Sequence, residues 1–552
     1  MSRSLRNIRS ALLAATVLAP VAAHAQDATP EQAAQVQQQL RGWLATLLGP
    51  KVPLGDKPIQ VTPEGDHLRL AVEIAGAVPG SPMTVTGGPV TASVRQLDAN
   101  RWSIENLRLP SPWRVDSAKP DETGFKSMSA RTEEQTSHGV FDTTFATPST
   151  FDSVTRGASS ATDGASGTSV TSLAGYTSHT VLQPASDGRV NMLADGHGEK
   201  LATEGVLPDG TPFKLTADRA SLGAHFDNVA FDQIGPMIRG IMEIMPASAS
   251  PVPADVLPVA PAIPAPRAPA TVKGKGNPEV MANAKQALSS TLKLPDPPRP
   301  ATKTVAATAA SAKHADMTPA QKDSAHRVLA AFRAFMGGLD EEVAMENVRM
   351  ESSGHMVSFG RIAVGFGFGA PGGRIDTHMA MALDGLSSPD IPAGPMRDYM
   401  PTHVALRPHA SGVPADAVFD LIQHAIDANG KDDDALGAEA MGLLAKGPLN
   451  LGIDDIALTT GPASLKGGGQ VTIASVTEIT GKAQFTMSGL DELIKQVNAT
   501  PELQGMGAGP VLFLAKGMGR IDGANTVWDV TYADGKVMVN GNDLSAMMAG
   551  GK

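Results

Sequence analysis

An export signal followed by a chain with no cysteine narrows the possible fold more than any other feature. Arg3, Arg6 and Arg9 make a positive n-region. Ala11 to Ala22 is a short apolar stretch, and Ala23-His24-Ala25 offers small residues for cleavage. The stretch is shorter than the ~20 apolar residues of a membrane span. The expected mature chain therefore starts at Gln26, is exported and most simply periplasmic, and keeps no transmembrane anchor after signal cleavage. Without cysteine it has no disulfide, no lipid-modified thiol and no thiol chemistry. Its stability must come from buried apolar surface and paired backbone.

Charge and aromatic content exclude some partners. Removing residues 1–25 takes away three arginines and no acid, which carries the formal net charge from −11 to −14. An acidic surface is repelled by phosphate backbones, so no nucleic-acid partner is expected. Only 4% of the residues are aromatic, which argues against rows of stacking platforms for bases or sugars. A length of 552 residues is enough for two or three domains.

Composition divides the chain into residues 1–25 (signal peptide), 26–245 (N-terminal β-rich domain), 246–317 (linker) and 318–552 (C-terminal α+β domain). The linker is dense in Ala and Pro, as in Pro261-Ala262-Ile263-Pro264-Ala265-Pro266, which denies the backbone its N–H donors and favours an extended path. One short helix is expected inside it, near Pro278 to Leu292. The Ser/Thr/Gly-rich tract from Ser127 to Thr180 is read as short, half-exposed antiparallel strands rather than disorder. Val140, Phe141, Phe145, Phe151, Val154, Val170 and Leu173 recur there between turn residues.

The two flanks of the linker resemble each other. Thr29-Pro30-Glu31-Gln32 and Thr318-Pro319-Ala320-Gln321 each place a Thr cap, a first-turn Pro and a capping-box Gln. The same offset aligns Leu40 with Leu329, Trp43 with Phe332, Leu47 with Met336 and Gly49 with Gly338. An internal duplication is one explanation. Strand-like sequence follows both helices. In the first half it covers Ile59 to Ile74, Arg101 to Val115 and Val190 to Thr216. In the second it covers His355 to Phe368, Ile375 to Leu383, His403 to Pro408, Leu449 to Leu458, Gln470 to Ile473, Lys482 to Met487 and Val527 to Val539. Helices are expected at Phe231 to Met245, Ala415 to Asn429, Asp434 to Ala445 and Leu490 to Val497. Several strands alternate polar and apolar residues, as sheets with one wet face do. The expected class is α+β: two β-rich halves with long antiparallel sheets, each preceded by an amphipathic helix.

Near the C-terminus, Met487-Ser488-Gly489-Leu490-Asp491-Glu492-Leu493 turns a strand into a helix. The run Val527-Trp528-Asp529-Val530-Thr531-Tyr532-Ala533-Asp534-Gly535-Lys536-Val537-Met538-Val539-Asn540-Gly541 follows, with a hairpin at Asp534-Gly535. This pattern resembles the end of the exported YdgA-like proteins, and the strand-rich body is more loosely similar to AsmA-like envelope proteins. The resemblance covers roughly a tenth of the chain. It implies long curved antiparallel sheets and a role at the cell envelope.

Linear motifs for chemistry are weak. Ser290-Thr291-Leu292-Lys293 has the S-x-x-K spacing, but it sits in the linker without S-D-N or K-T-G downstream. Asp432-Asp433-Asp434 lacks the alternation and glycine of a calcium loop and reads as a turn with a helix cap. His138, His179, His197, His403 and His409 show no zinc spacing. Gly365-Phe366-Gly367-Phe368-Gly369 is strand-like: glycines admit a close approach on one face while aromatics occupy the other. Gly467-Gly468-Gly469 reads as a turn. Met379 and Met381 share a strand face, and Met237, Met242 and Met245 share a helix. Methionine suits adaptable apolar surfaces, although it also fills ordinary cores. No catalytic, cofactor-binding or metal-ligating residue is assigned and no cofactor is implied. The expected function is that of a non-enzymatic periplasmic envelope protein binding a lipid or a cell-envelope protein on an apolar sheet face. The alternatives are an exported hydrolase without a linear motif and an assembly protein that uses strand addition.

Overall fold

The computed structural model describes residues 27–48, 59–73, 75–77, 83–120, 124–142, 147–244, 317–391, 394–429, 433–475, 477–500 and 508–544. The signal peptide, almost all of the linker with its expected helix, and Ser290 to Lys293 lie outside the described residues. Within them the chain is mostly β, built on one long, open antiparallel sheet with helices.

α1 (Pro30–Leu48) begins as its sequence dictates: Gln32 N–H donates to Thr29 Oγ1 at 3.2 Å, and Thr29 N–H donates to Gln32 Oε1 at 3.0 Å. Short strands follow it, β1 (Ile59–Glu64), β2 (His67–Val72), β3 (Gly76–Ala77), β4 (Met83–Thr86), β5 (Val90–Gln96), β6 (Arg101–Arg108) and β7 (Trp113–Ser117), and the helix packs on β1, β2, β5 and β6. Ala33 and Val36 from the helix close a core with Ile59, Leu68, Val94 and Trp102.

β8 (Phe125–Arg131) and β9 (Glu134–Asp142) share one edge of β10 (Thr147–Gly164). The sheet then runs strand to strand through β11 (Gly167–Pro184), β12 (Val190–Val206) and β13 (Pro212–Val229). The Ser/Thr-rich tract is thus β-structure as expected, with β8 and β9 short but β10 and β11 long. The 18 residues of β10 span ~60 Å. Half-buried hydroxyl side chains keep such strands compatible with water on both faces.

α2 (Ile234–Ile244) follows β13, and α3 (Pro319–Phe335) precedes β14 (Gly338–Ser352). Thr318 and Gln321 form a second complete capping box, at 3.3 and 2.9 Å. Gly240 lets α2 approach α3 closely, because a Cβ there would meet Val328 at 2.2 Å. The sequences on either side of the linker meet directly: β13 pairs with β14 from Phe213↔Ser352 to Asp227↔Gly338. Although the two helices start alike, α1 is followed by six-residue strands and α3 by fifteen-residue ones.

The sheet continues through β15 (His355–Gly369), β16 (Arg374–Asp384), α4 (Pro395–Asp398) and β17 (His403–Pro414). After α5 (Ala415–Ala428) and α6 (Asp433–Lys446) come β18 (Leu449–Thr459), β19 (Ser464–Ile473) and β20 (Ile479–Ser488). Gly467-Gly468-Gly469 lies inside β19, opposite Phe485-Gln484-Ala483 of β20, so its reading as a turn is corrected. The strand-forming residues Leu465 and Val471 on either side carry the glycines into the ladder. α7 (Leu490–Ala499) and α8 (Ala508–Met518) precede β21 (Arg520–Asp522), β22 (Asn525–Ala533), β23 (Lys536–Val539) and β24 (Asn542–Asp543). Asp534 and Gly535 take the paired positive φ values, 51° and 73°, of a tight hairpin turn.

A transverse line crosses the long strands. Gly157 of β10, Lys200 of β12, Asn347 of β14 and Gly385 after β16 have φ between 52° and 63° and occupy one row of the register. The sequence phase of the apolar residues shifts by one there: in β14, Val343 and Met345 precede Asn347, and Val348, fully buried, follows it.

Candidate functional site

Before that line, register separates the two faces of β15 to β22 by chemistry, while on β14 the corresponding face carries Glu341 opposite Phe366. On one face β15 presents Ile362, Val364, Phe366 and Phe368. Opposite them stand Leu383, Met381, Met379 and Thr377 of β16, then Val404, Leu406, Pro408 and Ala410 of β17. Across the bulge at Asp454-Asp455, β18 continues with Leu458, Ile456, Ile453 and Leu451. Leu465 and Val471 of β19, Met487 and Phe485 of β20, and Trp528 and Val530 of β22 complete it. No charged side chain lies on this face from β15 to β22 within these rows. It measures roughly 30 by 20 Å from strand spacing and rise.

Much of this face is open. Val364 is 46% exposed, Phe366 44%, Met379 43% and Leu451 41%. Helices cover only its rims. On one rim Phe332 of α3 stacks on Phe368 (centroids 6.2 Å apart) and meets Phe419 of α5 edge-on. A hollow of about 290 Å³ lies beneath, lined by Phe332, Phe335, Leu339, Phe366 and Phe368. On the other rim Trp528 Nε1–H donates to the Ala515 carbonyl of α8 at 2.7 Å. Between β18 and β22 a second hollow, of about 360 Å³, is walled by Leu451, Ile453, Ile456, Phe485, Val530 and Tyr532. Glycine is required at its floor: a Cβ at Gly467 would meet the Phe485 ring, and one at Gly469 the Ala483 Cβ, each within 2.5 Å. The result is a trough with an apolar floor.

The opposite face is polar. One row alternates in sign across the sheet: Glu134, Arg156, Gly175, Glu199, Arg219, Glu346, Arg361, Asp384 and His403. Such cross-strand pairs contribute about 0.2–1 kcal/mol each, and a one-residue slip would drive these charges onto the apolar face. Histidines on this side pair with acids. His179 and His138 flank Asp152 at 2.6 and 3.3 Å, and His403 meets Asp384 at 2.5 Å. His378 lies 3.0 Å from Asp340, and His409 lies 2.7 Å from Asp454.

The sequence-selected residues now have places. In the Gly365–Gly369 segment, Phe366 and Phe368 face the trough while the glycines face the polar side. What approaches the backbone closely is the His378 ring, 2.0 Å from where a Gly367 Cβ would stand. His197 is exposed on the polar face. Asp433 and Asp434 open α6, and Asp432 lies outside the described residues. Met379 and Met381 are both on the open trough floor. Met237 lies on α2 and Met245 is outside the described residues. Among the described residues no group of three or more His, Asp or Glu is arranged to hold a metal ion, and no helix is long and apolar enough to cross a membrane. The sequence reading missed α8, whose signal was the apolar run Val511-Leu512-Phe513-Leu514-Ala515 behind Pro510. No family model, curated protein or solved structure matches the chain.

Proposed function

We propose that this is a non-enzymatic envelope protein that holds the hydrocarbon part of a lipid along the trough of its long sheet. One observation carries this reading: a contiguous, charge-free floor with Val364, Phe366, Met379 and Leu451 each more than two-fifths exposed. Its area is at or above the few hundred Å² that a soluble monomer ordinarily leaves open. Methionines in the floor suit chains of varied shape, and the export signal would deliver the protein to lipid-bearing surfaces. The matching capping boxes of α1 and α3 fit an origin by duplication. Strand addition is less favoured, because the C-terminal end of the described sheet is the two-residue β24.

The test is native mass spectrometry with lipid extraction on the protein purified from its own periplasm, beside Met381→Lys and Phe366→Lys. Co-purified lipid in the wild type, lost in both variants with an unchanged circular dichroism spectrum, is expected. An empty, folded wild type that also fails to bind a fluorescent fatty acid would overturn the reading.

A further inference from the structure

We infer that α8 is the element by which the protein docks on the surface of an electrically neutral lipid bilayer, an inference that rests on the reading of the trough as a lipid site. α8 runs for 11 residues, and its outward side is Pro510, Val511, Phe513, Leu514 and Gly517. Val511 is 53% exposed, Phe513 55% and Leu514 38%, and Ile521 just beyond the helix is 61% exposed. The helix carries one charge, Lys516, which is held by Asp491. Its side chains therefore offer water nothing in return for this exposure.

Size decides between occupants. A protein partner or a second copy needs roughly 800 Å² per side and some 20 residues, whereas this patch has four large side chains. A fluid bilayer interface needs no matching shape and accepts a short apolar helix face lying in its plane. Charge decides the kind of bilayer. The chain carries a formal net charge of −11, and the patch adds no free cation to attract anionic headgroups. Docking by burial of Val511, Phe513 and Leu514 is consequently insensitive to salt.

Position links the patch to the trough. The inner side of α8 is tied to the floor by the Trp528–Ala515 hydrogen bond, and Gly519 seats the helix end against the Trp528 ring. A lipid leaving a bilayer under α8 would meet Trp528 and then the hollow walled by Phe485 and Val530.

Flotation of the full-length mature chain with phosphatidylcholine vesicles tests this, using wild type, a Val511→Asp/Phe513→Asp double variant and Met381→Lys. The double variant is expected to lose at least tenfold in vesicle binding at both low and high salt, while keeping its circular dichroism spectrum and its binding of a fluorescent fatty acid. Met381→Lys is expected to float like wild type and lose the fatty acid. Flotation without fatty-acid binding by the wild type would support α8 docking and sink the trough reading instead. Equal flotation of the double variant and the wild type would overturn the docking inference. So would flotation only on anionic vesicles at low salt, or a wild type that self-associates through α8 and does not float.

Discussion

The α1 lobe and the β15–β22 trough use one pattern to opposite ends. Both alternate apolar and polar residues along antiparallel strands. In the lobe α1 lies across the apolar face, and Ile59 and Leu68 are closed from water. In the trough helices reach only the rims, and comparable side chains stay open. Alternation therefore specifies a sheet face but not its cover. Truncation experiments should separate the two regions. Trp102→Ala in the lobe should cost about 3–5 kcal/mol, and Phe366→Ala in the trough less than about 1 kcal/mol, both read from urea unfolding of lipid-free protein. Equal losses would break the comparison, since they would mean that the trough is covered in solution.

A smaller effect is expected on the polar side, where the charge ladder holds register without a core. Arg361 stands opposite Glu346 and Asp384, and its Nη2 lies 3.0 Å from Glu342. Arg361→Glu would place like charges on neighbouring strands and should destabilise by roughly 1–2 kcal/mol, from several pairs of a few tenths to 1 kcal/mol each. The loss should shrink in high salt, because these groups are exposed. A salt-independent loss would point to packing of the arginine stem over Ala363 rather than to charge.

Much of this organisation was legible. Thr29 and Thr318 announced both capping boxes, and Asp534-Gly535 announced its hairpin, because these signals are local. The phase of alternation was legible but easily passed over. Val343 and Met345 change to Val348 and Met350 around Asn347, and Val357 and Phe359 change to Ile362 and Val364 around Gly360. That slip marks the transverse line, where Gly157, Asn347 and Gly385 take a left-handed backbone at little cost and Lys200 takes it too. The trough itself was not legible. Phe366, Met379, Leu451 and Phe485 become one surface only through the registers of strands far apart in sequence, and nothing local says that no helix will cover them. Gly467-Gly468-Gly469 misled for a related reason: a glycine run reads as a turn until the Phe485 ring lying over it is known.

The smallest expected effect lies outside the sheet, between α5 and α6, and asks whether the rim helices are held by charge as the polar face is. His424 Nδ1 sits 2.9 Å from both carboxylate oxygens of Glu439. Hydrogen bonding to Glu439, and then its negative charge, raise the imidazole pKa above its ordinary 6.5. Because the folded pKa is the higher one, the contact's contribution is fully present below about pH 6.5 and is lost as pH rises through the folded value. Proton NMR titration of His424 should show an elevated midpoint that falls toward 6.5 in Glu439→Gln, with the trough's fatty-acid binding unchanged. A midpoint indifferent to that substitution would leave α5 and α6 joined by packing alone, making the rim resemble the α1 lobe rather than the laddered sheet.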